Sequence, residues 1–99
     1  MNDRDLYSGL IRLHILHHAV EGPVFGFGMA EELARHGYKI SPGTLYPMLH
    51  ALERKGYLTS RTEPAGRSRR RIYRATPYAV EALEIAREKV RELVREVAP

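Results

Sequence analysis

The sequence predicts a mainly α fold with one small β-hairpin, arranged as a winged helix-turn-helix that runs into a long C-terminal helix. Three observations predict it. Four segments carry apolar residues at helical spacing, and two of them open on a capping residue followed by proline, at Ser41-Pro42 and Thr76-Pro77. Between the third and fourth lie two short runs rich in β-branched and aromatic residues, joined by Pro64-Ala65-Gly66. The positive charge is concentrated in that hairpin. Residues 61–74 hold six arginines against one acid, Glu63, whereas the other 85 residues hold 10 basic and 11 acidic groups. The formal +4 of the chain is therefore a near-neutral body carrying a basic hairpin.

A chain of 99 residues makes one domain. At this size roughly 65% of the unfolded surface is buried, enough for one core but not for a core plus a deep substrate cleft. With no cysteine there is no disulfide framework, thiolate zinc site or cysteine nucleophile. No apolar run approaches the ~18 residues of a membrane span, and Met1-Asn2-Asp3-Arg4-Asp5 does not read as a signal peptide. A cytoplasmic protein is expected. No Ser/His/Asp arrangement, phosphate-binding glycine loop or carboxylate pair is present, so neither an enzyme nor a bound cofactor is expected.

Helix 1 is predicted over residues 4–20. Leu6, Leu10, Leu13 and Leu16 mark one face, and Ile11 and Ile15 a second. A surface helix of a small monomer has a single apolar stripe. The second stripe therefore predicts cover by another chain. Glu21-Gly22-Pro23-Val24 breaks the helix. Helix 2 follows from Phe27 to about His36, with Met29, Ala30 and Leu33 inward and Gly37 at its C′ position. Helix 3 has Ser41 as N-cap and Pro42 at its first position, and closes at Gly56 after Arg54-Lys55. Leu45, Met48, Leu49 and Leu52 form its buried stripe. Gly43, Pro47, His50 and Arg54 point outward, with Thr44, Tyr46 and Ala51 flanking. Strands are predicted at residues 57–62 and 71–75. The last helix runs from Pro77 to about Val97. Its residues Ala79, Leu83, Ala86, Val90, Leu93 and Val97 alternate spacings of four and three, a coiled-coil-like seam that calls for a partner helix.

Helices 2 and 3, joined by a short glycine-containing turn, form a helix-turn-helix, and the basic hairpin directly after them forms the wing. A helix N-terminus fits the DNA major groove, and arginine suits phosphate and guanine. The expected DNA contacts are Ser41, Pro42, Gly43, Thr44, Tyr46, Pro47 and His50 on helix 3, with Arg67, Arg69, Arg70 and Arg71 on the wing. The expected partner is double-stranded DNA. A winged helix used for docking proteins is the alternative, but such a wing has little need of a +5 charge. An RNA-binding module is weaker still, because no aromatic stacking strand is present.

The run Ile40-Ser41-Pro42-Gly43-Thr44-Leu45-Tyr46-Pro47-Met48-Leu49 resembles the recognition-helix signature of PadR-like transcriptional regulators. Gly66-Arg67-Ser68-Arg69-Arg70-Arg71-Ile72-Tyr73-Arg74-Ala75-Thr76 looks like that family's wing and its exit into the last helix, and the Glu21-Gly22-Pro23 turn also fits. The resemblance covers nearly the whole chain. It implies a homodimeric repressor bound to a pseudo-palindromic operator, released by a small-molecule effector at the dimer interface. Helix 1 and the last helix would build that dimer, through Leu6, Leu10, Ile11, Ile15, Leu83, Ala86, Val90, Leu93 and Val97. Residues 1–75 would then form the DNA-binding domain and 76–99 the dimerisation helix, as in the subgroup with a short single C-terminal helix. The chain departs from the family at Phe25-Gly26-Phe27-Gly28, where His-Gly-Tyr and an acidic residue are usual. It also lacks the tryptophans between which some small members hold flat aromatic drugs.

His14, His17 and His18 share helix 1 at i,i+3 and i,i+4 spacings. Such spacing suits zinc, or a pH-responsive interface. The plainer reading is polar residues at a helix edge, and no metal is expected.

Overall fold

The computed structural model describes residues 4–99. The reading of Met1-Asn2-Asp3 as no part of a signal peptide lies outside the described residues. The elements are α1 (Arg4–Glu21), β1 (Val24–Phe25), α2 (Gly26–Arg35), α3 (Pro42–Arg54), β2 (Leu58–Ala65), β3 (Ser68–Ala75) and α4 (Pro77–Val97). The strands form a small antiparallel sheet ordered β1-β3-β2.

The helix ends follow from local chemistry. Thr76 Oγ1 accepts from the Ala79 N–H at 3.2 Å, capping α4, and donates to the Gly56 carbonyl at 2.6 Å. One side chain thus joins the end of α3 to the start of α4. Ser41 behaves differently from the cap expected of it. Its carbonyl accepts from Thr44 and Leu45 N–H at 3.0 and 2.9 Å, but its hydroxyl bonds no backbone donor and points to Thr44 Oγ1 at 3.4 Å. Gly37 and Gly56 both take positive φ, at 91° and 87°, where α2 and α3 stop.

The sheet has three strands rather than the two expected. Val24 and Phe25 pair with Tyr73 and Ile72 of β3. Two residues are too few to display an alternating pattern, so this strand read only as a helix break. The hairpin is also longer than expected, with Leu58–Ala65 paired against Ser68–Ala75. Its loop is Gly66-Arg67 rather than Pro64-Ala65-Gly66. Gly66 has φ 63°, and Arg67 does not take positive φ, as in a type II′ turn. Pro64 is accommodated because β2 is an edge strand.

The core gathers Ile11, Ile15 and Leu16 of α1, Met29 and Leu33 of α2, Leu45, Leu49 and Leu52 of α3, Leu58, Tyr73, and Ala79 and Leu83 of α4. This corrects part of the interface expected from periodicity. Ile11 is 2% exposed, Ile15 0% and Leu83 5%, all inside this chain's own core. The helical spacing was right, but a sheet and two helices of the same molecule cover those positions. The first turns of α4 therefore belong to the core, and only the later turns leave it.

Tyr73 is fully buried, and its hydroxyl has no hydrogen-bond partner among the described residues. Burial pushes this phenol above the usual tyrosine range. A raised pKa means that the folded state holds the proton more tightly. The corresponding stability is present below the ordinary tyrosine value, about 10, and is lost as pH rises through the folded value. Tyr73→Phe should raise unfolding free energy in urea at pH 7 by about 1 kcal/mol, because an unsatisfied buried hydroxyl is removed. It should also flatten the alkaline loss of stability. Destabilisation of the variant would refute this reading of the hydroxyl.

Candidate nucleic-acid interface

The outer face of α3 is exposed at Ser41, Pro42, Gly43, Pro47 and His50, and half-exposed at Tyr46, while Leu45, Met48, Leu49 and Leu52 are buried. Pro47 lies inside the helix. It has no N–H to offer the Gly43 carbonyl one turn earlier, so that carbonyl is left without its usual helical donor on the outer side. Tyr46 lies across Gly26 at the start of α2. A Cβ on Gly26 would fall 2.6 Å from Tyr46 Cζ. The absence of a side chain at Gly26 thus lets the tyrosine lie flat between the two helices of the motif, with its edge still open to solvent.

Alternation along the hairpin divides the wing into two faces. Arg69 and Arg71 share a face with Ser60, Thr62 and Tyr73, toward α3. Arg71 Nη1 donates to Ser60 Oγ at 2.9 Å, and Ser60 Oγ donates to the Glu53 carboxylate at 2.8 Å. This relay ties the wing to the C-terminal end of α3. Arg69 Nη2 donates to Thr62 Oγ1 at 3.1 Å. Arg67 stands at the turn, exposed. Arg70 is separated from the others. It lies on the opposite face, 3.1 Å from Glu63 Oε1, with its guanidinium 3.8 Å above the Phe25 ring. Arg61 and Arg74 share that opposite face with buried Ile72. The wing is therefore not one basic patch. Arg69 and Arg71 extend from the α3 side, Arg67 stands at the turn, and Arg70 fastens β3 to β1.

Phe25 thereby gains a structural role. Its ring supports Arg70 by a cation–π contact. Phe27, two residues later, is 75% exposed on the first turn of α2. Sequence reasoning missed both Glu53 and Gly26. The Glu53–Ser60–Arg71 relay joins residues brought together only by the hairpin register, and a lone glycine carries no mark of the ring lying over it.

A second group of polar residues lies between α1 and α2. His14 and His18 face Glu32 and His36, and the His14 and His36 rings stack with centroids 4.5 Å apart. His17, beside His18, lies 3.3 Å from Glu21. Burial, followed by the nearby imidazoles of His36, His18 and His17, holds His14 below the usual histidine range. His36 and Glu32 were not singled out from sequence, because they lie on a different helix from the other histidines.

On the far side of the molecule α1 and α4 leave apolar side chains uncovered. Leu6, Leu10, Val90, Leu93 and Val97 are exposed, Leu6 by 73%. With Leu13 they line an open groove of about 810 Å³. Of the interface residues expected from sequence, these five share the open side, and Ala86 lies along the same groove.

Residues 15–85 match the model of the transcriptional regulator PadR-like family. The chain is 49% identical over 94 residues to transcriptional regulator Rv3488 of Mycobacterium tuberculosis, covering 95% of this chain and 88% of that protein. Its fold matches the crystal structure of a PadR family transcriptional regulator from Eggerthella lenta with TM-score 0.83 at 30% identity, over 94% of this chain and 82% of that one. Bacillus subtilis PadR in complex with operator DNA matches with TM-score 0.69 at 20% identity, over 76% of this chain and 45% of that longer one. The family model spans most of the chain and the Mycobacterium relative is nearly half identical along it, so the chain belongs to the PadR-like family of transcriptional regulators.

Proposed function

We propose that the protein is a homodimeric repressor that binds a pseudo-palindromic operator and is released by a small apolar effector. The observation that carries the dimer is the exposed strip of Leu6, Leu10, Val90, Leu93 and Val97. Contiguous apolar surface of this kind marks an association site. A second copy supplies cover of the same composition, and a two-fold axis makes the contact self-complementary. Residues 1–75 then serve DNA recognition and residues 76–99 dimerisation, although the start of α4 also completes the core. A dimer places two α3 helices on one face of a duplex, with half-sites one turn apart, ~34 Å.

In this reading Ser41, Thr44, Tyr46 and His50 face base edges or phosphates in the major groove. Pro42, Gly43 and Pro47 keep that end of the helix slim enough for close approach. Arg67, Arg69 and Arg71 reach flanking phosphates or the minor groove. Arg70 contributes less, since it is engaged with Glu63 and Phe25. The groove between α1 and α4 has the volume and apolar lining of a small-molecule site. An effector seated there would change how the two copies meet. Operator DNA as the partner places the protein in the cytoplasm.

Three measurements test the reading. Replacing Arg67, Arg69 and Arg71 together by alanine should weaken binding across DNA sequences and flatten the log–log salt dependence by roughly 5, since the dimer loses six phosphate contacts. Arg70→Ala should do much less, and equal effects would overturn the two-faced wing. His50→Ala should change base preference in a selection from random duplexes, with discrimination reduced by roughly 1–3 kcal/mol at the affected position. Leu93→Glu should give a folded monomer in sedimentation equilibrium. It tests the interface more cleanly than truncation before Leu83, which would remove part of the core. A persistent dimer in this variant would refute the proposed interface.

A further inference from the structure

We propose that His14, His18, Glu32 and His36 form a site for a divalent transition-metal cation of the zinc type, clamping α1 to α2. The first support is placement. His14 and His18 are four apart on α1, and Glu32 and His36 are four apart at the end of α2. Residues at that spacing project from one face of a helix. Two such pairs therefore face each other across a helix–helix contact. The nitrogens that His14, His18 and His36 offer all lie within 4.8 Å of one another.

The second support is distance. Glu32 Oε1 lies 3.3 Å from His18 Nε2 and 3.4 Å from His36 Nε2. Charge-assisted hydrogen bonds between such groups are shorter, about 2.7–2.9 Å. Ligands bound about 2.0–2.1 Å from a tetrahedral zinc stand about 3.3–3.4 Å apart. The carboxylate oxygen already stands one edge length of that tetrahedron from each of two imidazole nitrogens. His18 Nε2 is itself buried and makes no hydrogen bond despite the nearby carboxylate. A cation between the two groups would satisfy both.

The third support is the setting of the carboxylate. Arg35 Nη1 bonds Glu32 Oε2, leaving Oε1 directed at the imidazoles. Such a neighbour fixes the orientation of a ligating carboxylate. Three imidazoles and a carboxylate form a donor set suited to Zn²⁺ and its divalent neighbours, rather than to Mg²⁺ or Ca²⁺. His14, stacked on His36, completes the set by a side-chain rotation. A different group, His17, His18 and Glu21, shares His18 but lies along α1 alone. The distances above favour the group that joins two helices. Neither arrangement depends on the DNA reading.

The test uses the full chain, freed of metal by a chelator and dialysed against Zn²⁺. One zinc per chain is expected, with a rise in thermal midpoint on loading. Tetrahedral ligand-field absorption is expected on substitution by Co²⁺. His18→Ala, His36→Ala and Glu32→Gln should each weaken binding at least tenfold, and His17→Ala should leave it unchanged. His36 is exposed. His36→Gln therefore decides the matter should the His18 variant fail to fold, with circular dichroism as the check. No uptake of Zn²⁺ by the unsubstituted chain would overturn the proposal. So would binding lost with His17→Ala but retained with His36→Gln.

Discussion

Everything in this fold depends on one strand doing two jobs. β3 is the middle strand, hydrogen-bonded to β1 on one side and β2 on the other. Its inner half supplies Ile72 and the fully buried Tyr73. Its outer half is three consecutive arginines. Side chains on a strand alternate between faces, so consecutive arginines cannot all project the same way. Arg69 and Arg71 fall on the face toward α3, and Arg70 falls on the opposite face, with Ile72 and Phe25. The same register that seats Tyr73 in the core decides which arginines share the α3 side. A one-residue slip would exchange the two sets and carry Tyr73 out of the core.

Charge repulsion within the wing is managed by pairing rather than by distance. Arg70 is offset by Glu63, and Arg71 connects through Ser60 to Glu53. These contacts are exposed or partly exposed, and each contributes little to stability. Their effect is positional. Glu53 stands on α3, so the relay holds the base of the wing at a fixed place relative to the recognition helix. Arg69, bonded to Thr62, and Arg67, at the turn, lie farther along the hairpin.

Most of the helical skeleton was legible because its boundaries carry local chemistry. Pro42 and Pro77 sit where their missing N–H costs nothing, and Gly37 and Gly56 sit where positive φ is needed. What was not legible required knowing who covers whom. Ile11 and Ile15 have the spacing of a buried stripe, but spacing is silent on whether the cover comes from the same chain. β1 was too short to carry a pattern. Arg70 was grouped with its neighbours because a run of like residues hides the alternation beneath it. The two faces of α3 fared better, since proline and polar residues on one side of an apolar stripe leave few other arrangements. For the histidines, sequence supplied half of a cluster. Its other half lies across the turn between α1 and α2.

That cluster also occupies a mechanically significant place. His14 follows Leu10 by four residues and Ile11 by three, and His18 follows Ile15 by three. On a helix these are neighbouring rows. The histidine edge of α1 therefore runs between the stripe buried in the core and the apolar strip left open. One helix touches the core with one row, α2 with the next, and presents a third row outward. α2 in turn packs on α3, whose Tyr46 lies over Gly26. A bond formed between the histidine edge and α2 thus acts on the same helix that carries part of the open strip and on the helix that supports recognition. Because the rows belong to one rigid element, fixing one of them constrains the other two.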